Sequence, residues 1–179
     1  MDETRWLQDE EQQTWRAFLM AMRLLFDELD RELQRDAGIP HAYYEILVRL
    51  SEAPGRTLRM SDLAERSGSS RSRLSHAVAR LEEAGWVRRA ACPTDRRGFL
   101  AVLTDEGFAA LAAAAPGHVE GVRRHLFDQL TRQQVGQLRE ISQTVLAHLT
   151  RDAEAPPQTV PARTARPRPG WRGSVECPP

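Results

Sequence analysis

The chain has 179 residues, of which 41% are hydrophobic, and its 25 arginines balance 25 acidic residues in the complete absence of lysine. This length and composition predict one folded domain plus a tail and exclude a membrane protein, because no run approaches the ~18 apolar residues that span a bilayer. Two cysteines make neither a disulfide framework nor a zinc pattern, and the acidic N-terminus lacks the apolar segment of a signal peptide, so we expect a soluble cytoplasmic protein.

The arginines are concentrated in the middle of the chain. Residues 56–100 contain ten arginines and five acidic residues, whereas residues 1–36 contain five arginines and ten acidic residues. A locally basic segment inside a neutral chain favours a nucleic-acid partner for that segment.

Two amphipathic helices are predicted before the basic segment. The first covers Trp15–Leu33, and its apolar stripe at helical spacing is long enough to stay partly wet in a monomer. After a break at Gly38–Pro40, the second covers Ala42–Ala53 and ends at Pro54-Gly55. Residues 57–59 are expected to form a short strand that pairs with a later hairpin.

Residues 60–85 predict two short helices joined by a tight turn. Ser61 is expected to cap the first helix, and Gly68 to end it in the left-handed conformation that glycine tolerates. Ser70 is expected to cap the second helix, and Gly85 to close it. The buried stripe of this second helix is predicted to be Leu74, Ala77, Val78 and Leu81.

The opposite face of the second helix predicts DNA recognition. Its candidate DNA contacts are Ser70, Arg71, Ser72, Arg73, Ser75, His76 and Arg80. An α-helix fits the major groove, where arginine pairs with guanine, while Arg71 and Arg80 are expected to grip phosphates. An ordinary solvated surface is the alternative, and the lack of carboxylates on this face before Glu82 argues against it.

A basic hairpin follows, with strands predicted at Val87–Ala91 and Phe99–Leu103 and a turn-forming segment, Cys92–Gly98, between them. A hairpin tipped with arginine can insert a guanidinium into the minor groove. Arg97, held by Asp95, is expected to enter that groove. Its neighbour Arg96 is expected to follow the DNA backbone.

Beyond the hairpin, Thr104–Leu126 is predicted to be a helix with a kink or short break at Pro116-Gly117. Thr131 opens a last helix with a capping-box pattern. Residues 151–179 hold seven of the eleven prolines and are expected to form a disordered Pro/Arg-rich tail.

Four stretches carry a family resemblance: Arg71–Ser75, Arg80–Gly85, the hairpin tip Asp95–Gly98 and the Leu-Thr-x-x-Gly run Leu103–Gly107. In combination they resemble the winged helix-turn-helix core of the MarR family of bacterial transcription regulators. The resemblance implies a fold that is mainly α with a small antiparallel sheet, and a homodimeric, ligand-responsive regulator, which we expect to be a repressor.

The resemblance also divides the chain. Residues 1–40 and 105–150 would supply dimerisation helices, residues 41–104 the winged helix-turn-helix region and residues 151–179 the tail. Two recognition helices would then meet a pseudo-palindromic operator with half-sites ~10 base pairs apart. A pocket for a small aromatic effector is implied too, and ordinary packing accounts equally well for its candidate residues, which are Trp15, Arg16, His41, Tyr43 and Tyr44.

No catalytic set, cofactor or metal site is predicted. The histidines at 41, 76, 118, 125 and 148 lack the spacing of a metal-binding helix, and no Gly-rich phosphate loop is present in the sequence. Cys92 lies among arginines that favour oxidation, although a half-buried residue at a strand end is the simpler interpretation. The remaining alternative for function is a helical dimer that serves as a protein-interaction module without specific DNA binding.

Overall fold

A computed structural model gives the fold over residues 4–92 and 95–151, with the backbone alone described at residues 95–97 and 151. The chain forms two compact units, Met1–Leu126 and Phe127–Pro179. None of the helices in the described ranges is long and apolar enough to cross a bilayer. The predicted tail from residue 152 onward lies outside the described residues.

The first unit contains five α-helices and one sheet within the described ranges. Its elements are α1 (Asp9–Ala37), α2 (His41–Ser51), β1 (Thr57–Arg59), α3 (Met60–Arg66), α4 (Arg71–Glu83), β2 (Val87–Cys92), β3 (Asp95–Leu103) and α5 (Asp105–His125). A short 3-10 turn, Pro54–Arg56, precedes β1. The predicted fold class, mainly α with a small antiparallel sheet, is confirmed.

The sheet is antiparallel, with β3 between β1 and β2. Leu58 of β1 and Arg89 of β2 both lie opposite Ala101 of β3, so the predicted pairing of residues 57–59 with the hairpin is confirmed. The hairpin strands are longer than predicted. Cys92 opposes Asp95 and Ala91 opposes Phe99, because an irregularity in the pairing absorbs the intervening residues that the sequence assigned to the turn.

The core of this unit lies where α2, α3 and α4 pack on the sheet. Leu47, Leu63 and Val78 are each completely buried, as is Ala101 at the centre of β3. Of the stripe predicted for the second helix of the pair, Leu74, Val78 and Leu81 are buried and Ala77 is partly buried against the core. The predicted inner face of α4 is therefore confirmed.

Helix α1 is longer than the predicted Trp15–Leu33 because its capping residues lie further out at both ends. The Gln8 N–H donates to the Glu11 carboxylate at 2.9 Å at the start, and Gly38 ends the helix at φ 68°. Only its C-terminal part is buried, at Leu29, Glu32 and Leu33, where α1 packs against α5. The N-terminal part leaves large apolar side chains exposed.

The two helices approach closely at Gly121 of α5, where an added Cβ would lie 2.5 Å from Glu32 Oε2. The Glu32 carboxylate accepts a hydrogen bond from Arg124 and lies 3.0 Å from His125 Nε2. These contacts lower the pKa of Glu32, with the His125 hydrogen bond as the largest cause. One nearly buried carboxylate thus joins α1 to the end of α5.

One local prediction is wrong, and one half of another is wrong. Helix α3 begins at Met60 after Arg59, and the Ser61 hydroxyl, which lies inside the helix, donates to Asp62 at 2.7 Å instead of capping it. Helix α5 continues through Pro116, so the short break is absent, while the alternative of a kink there stays a prediction. Pro116 and Ala112 are both exposed, so water can hydrogen-bond the carbonyl that loses its helical partner there.

The second unit contains one α-helix in the described residues, α6 (Arg132–Arg151), after a 3-10 turn at Phe127–Gln129. The Gln134 N–H donates to Thr131 Oγ1 at 3.3 Å, and the Thr131 N–H donates to Gln134 Oε1 at 2.9 Å. The predicted capping box is confirmed. The apolar residues Ile141, Val145 and Leu149 are all more than half exposed along α6.

Candidate nucleic-acid interface

A sharp turn between α3 and α4 sets the start of the basic helix. Gly68 has φ 56° in this turn, which is the left-handed conformation that glycine adopts most easily. Ser70 then caps α4, because its hydroxyl accepts a hydrogen bond from the Arg73 N–H at 3.3 Å. The two predictions of a glycine stop and a serine cap are confirmed.

The outer face of α4 carries the predicted DNA contacts into solvent. All seven candidates on this helix are exposed: Ser70, Arg71, Ser72, Arg73, Ser75, His76 and Arg80. The opposite face of α4 is packed in the core, which fixes the rotation of the helix about its axis. The seven side chains therefore face solvent. Arg80 differs from the others because it forms an ion pair with Glu83 at 2.8 Å.

Arg89 of β2 contacts α4 and was not among the predicted site residues. Its Nη2 donates to the Ser75 carbonyl oxygen at 2.7 Å, and its backbone N–H donates to Glu82 Oε1 at 2.8 Å. Strand alternation from the buried Val87 puts Arg89 on the inner face of the hairpin, where a charged residue needs a partner. That alternation was the signal in the sequence that could have identified it.

A groove of about 540 Å³ is lined by residues from the end of β1, the start of α3, helix α4 and the hairpin. Its walls include three arginines, Arg59 before α3, Arg71 on α4 and Arg89 on β2. Cys92 forms part of the wall and is buried, at 5% exposure, rather than half-buried. The groove is therefore lined by arginines from three elements and lies next to both elements predicted to contact DNA.

At the hairpin tip the structure describes the backbone of residues 95–97. The backbones of Asp95, Arg96 and Arg97 belong to β3, while Pro93 and Thr94 lie outside the described residues. The side chains of residues 95–97 also lie outside them, so the predicted support of Arg97 by Asp95 stays a prediction.

A separate cavity of about 260 Å³ lies between α2 and α5. Two of the predicted effector residues, His41 and Tyr44, line it together with His118, whose ring centroid is 4.6 Å from that of Tyr44. Burial lowers the pKa of His118, which favours its neutral form. Sequence reasoning missed His118, because its position depends on how α5 packs on α2.

The remaining effector candidates lie elsewhere. Trp15 is half-exposed on the N-terminal part of α1, and its ring stacks on Phe18 with 6.3 Å between centroids. Arg16 is exposed on the same helix, and Tyr43 packs against the core from α2. The structure therefore brings together only two of the five residues that were candidates for an effector pocket.

Residues 37–98 match the model of the MarR family. The transcriptional regulator HosA of Escherichia coli O111:H- is 30% identical over 123 residues, which cover 63% of this chain and 90% of HosA. Sco3205, a MarR family transcriptional regulator of Streptomyces coelicolor solved in complex with DNA, is 56% identical with a TM-score of 0.78, covering 83% of this chain and 93% of that one. AbsC, a MarR family regulator of the same organism, is 46% identical with a TM-score of 0.76, covering 82% and 99%.

Proposed function

This chain belongs to the MarR family of transcription regulators, and we propose that it represses transcription by binding a pseudo-palindromic operator as a homodimer. In this proposal residues 41–104 contact DNA, while residues 1–40 and 105–150 hold two subunits together. The family consists of transcription regulators rather than enzymes.

The outer face of α4 is the observation that carries the proposal. Its serines, arginines and histidine are exposed to solvent, while the opposite side of the helix is buried in the core. A helix of this kind can enter the major groove with its N-terminal residues at the base edges. Sco3205, which is 56% identical, was solved with DNA, and this supports assigning the same partner here.

The individual roles follow from position on the helix and hairpin. Ser70, Ser72, Arg73 and His76, near the start of α4, read bases or adjacent phosphates. Arg71 and Arg80 contact phosphates, and Arg80 first has to leave its surface pair with Glu83. In the hairpin, Arg97, held by Asp95, enters the minor groove and Arg96 follows the backbone.

The exposed part of α1 supports the homodimer. Trp15, Phe18, Leu19 and Phe26 are each between 47% and 52% exposed along one helix. Burying a fully exposed side chain of this kind contributes about 2 kcal/mol, so covering the exposed half of each ring or chain in the stripe would contribute about 1 kcal/mol per residue to the dimer. A two-fold dimer would then present two recognition helices to successive major grooves.

The cavity between α2 and α5 supports a response to a small aromatic acid. Its rings, from His41, Tyr44 and His118, can stack on an aromatic ligand. Of the charged residues on its wall, which are Glu45, Arg49 and Glu52, Arg49 is the one that can pair with a carboxylate. A thermal-shift series with aromatic acids tests this part. A rise in melting temperature that depends on concentration in the wild type, and is lost in His118→Ala, is the expected result.

Selection of bound genomic fragments, followed by anisotropy titration of the best fragment and of a random duplex, tests the DNA proposal. We expect Arg73→Ala to relax the preference for the selected fragment. We expect Arg96→Ala to weaken both duplexes alike and to flatten the salt dependence. We expect Arg97→Ala to weaken operator binding by more than ~1 kcal/mol.

Arg139→Ala is the matched control, because Arg139 is an exposed arginine on α6 outside residues 41–104. It should leave both titrations unchanged. If the wild-type protein binds no fragment better than random duplex, the proposed function fails, and the interaction-module alternative takes its place.

A further inference from the structure

Arg89 joins the hairpin to helix α4 through both its backbone and its side chain. Its N–H donates to Glu82 Oε1 at 2.8 Å, and its Nε lies 3.3 Å from Glu82 Oε2. Its Nη2 donates to the Ser75 carbonyl oxygen at 2.7 Å and lies 3.3 Å from Ser75 Oγ. One strand residue is therefore tied to two positions of α4.

The spacing of the two partners makes this bridge possible. Ser75 and Glu82 are seven residues apart, which is about two helical turns or roughly 10 Å, so both lie on the same side of α4. Side chains on a helix lean toward its N-terminus, which brings the Glu82 carboxylate back toward Ser75. The planar guanidinium of Arg89 can then donate in both directions, which the compact ammonium of a lysine cannot do.

The Arg89–Glu82 pair is less exposed to solvent than the arginines on the outer face of α4. The Arg89 and Glu82 side chains are both 30% exposed, so they are partly withdrawn from solvent. The negative charge of Glu82 offsets the positive charge of the Arg89 guanidinium, so Arg89 attracts a DNA phosphate only weakly. Its geometry favours holding two elements together over contacting the duplex.

We propose that Arg89 is a positioning residue for operator recognition, which fixes the hairpin relative to α4 so that both reach their grooves together. The proposal rests on the proposed function, because it requires both elements to contact DNA. A hairpin that is already ordered in the free protein loses less conformational entropy on binding, and operator affinity rises accordingly.

The Arg89→Lys variant tests the proposal while keeping the charge. We expect about tenfold weaker operator binding, the size of one coupled contact, together with faster amide hydrogen exchange of residues 87–92 in the free protein. Arg88→Lys is the control, since Arg88 is the exposed neighbour on the same strand and should bind as the wild type does. Melting curves of both variants verify that they fold.

The Glu82→Gln variant separates positioning from a phosphate contact by the sign of its effect. Removing an acid near DNA relieves repulsion and would tighten binding if Arg89 contacted a phosphate. Loss of the bridge predicts weaker binding instead. Glu83→Gln is the control for charge, because Glu83 pairs with Arg80 on the surface and its removal should leave affinity unchanged or raise it.

Weaker binding in both Arg89→Lys and Glu82→Gln supports the positioning role. Wild-type affinity in Arg89→Lys, or tighter binding in Glu82→Gln, overturns it while leaving the proposed function intact. A wild-type protein that selects no operator defeats the proposed function instead, and hydrogen exchange of residues 87–92 still reports whether Arg89 holds the hairpin.

Discussion

The Thr104 hydroxyl donates to the Gly85 carbonyl oxygen at 2.8 Å, and this contact joins the start of α5 to the end of α4. The same hydroxyl accepts the Gly107 N–H at 3.0 Å, so Thr104 also caps α5. The Thr104 N–H donates to the Trp86 carbonyl oxygen at 3.0 Å. The Leu-Thr-x-x-Gly run thus fixes the start of α5 to the end of α4 by hydrogen bonds.

The first prediction concerns Gly107 in this run. A Cβ added there would lie 2.1 Å from the Trp86 carbonyl oxygen, so Gly107→Ala must displace backbone and should lower the free energy of unfolding by about 3 kcal/mol. Gly117→Ala is the control on the same helix, with open space around the added Cβ. It should be neutral or stabilising by up to about 1 kcal/mol in urea unfolding, and equal losses in the two variants would refute the contact.

Ser70 provides the second prediction. Ser70→Ala removes the hydroxyl that accepts the Arg73 N–H, so it should lower the free energy of unfolding by about 1 kcal/mol. Ser72→Ala, an exposed change two residues further on, should stay within about 0.5 kcal/mol of the wild type. Chemical denaturation measures both, and a Ser70→Ala variant as stable as the wild type would show that the cap does not stabilise α4.

Third, the lowered pKa of Glu32 predicts acid sensitivity. Its charged form stabilises the fold above its ordinary value of 4.5, and this contribution is lost as pH falls through the lower folded pKa. Glu32→Gln should therefore lower the free energy of unfolding by about 1–2 kcal/mol at pH 7 and by progressively less in the acid range. Unfolding free energies measured from pH 7 to pH 3 should converge for the variant and the wild type.

The control for that series is Glu83→Gln, because Glu83 pairs with Arg80 on the surface of α4, away from Glu32. Surface pairs of this type contribute little, so the variant should differ from the wild type by less than about 0.5 kcal/mol at every pH. A Glu32→Gln difference that stays constant with pH would mean that the carboxylate charge is not the stabilising feature.

A fourth prediction addresses the exposed stripe of α1. Phe18→Asp introduces a charge where the proposed partner subunit would cover the ring, so sedimentation should show a shift from dimer toward single chains. Gln13→Asp adds the same charge on another side of α1 and should leave the dimer intact. Unchanged sedimentation of Phe18→Asp would place the subunit contact elsewhere.

Several elements could be predicted because their signals are local. Ser70 marks the start of α4 and Gly68 the end of α3 through contacts with residues only a few positions away. The spacing of Leu74, Val78 and Leu81 predicts a buried helix face without reference to any partner element. Local signals can also compete. Ser61 looks like a cap, yet Met60 already has helical geometry, so the helix begins one residue too early for Ser61 to cap it.

The hairpin turn was harder to predict for a physical reason. Residues Cys92–Gly98 favour a turn by composition, but pairing with β2 draws residues 95–98 into β3. Such pairing is decided by the register of two strands, and register depends on which side chains reach the core. Composition carries no information on that choice.

Spacing, caps and family motifs along the chain were sufficient to establish the fold class, the pair of short helices joined by a tight turn and the regulator family, because each of these signals depends on near neighbours. The bridge from Arg89 to Ser75 and Glu82, the convergence of Glu32 with His125 and the place of His118 beside Tyr44 arose only in three dimensions. Each of them joins elements that lie far apart in the chain, and the crossing geometry that brings them within a few ångströms is set by packing of the whole core.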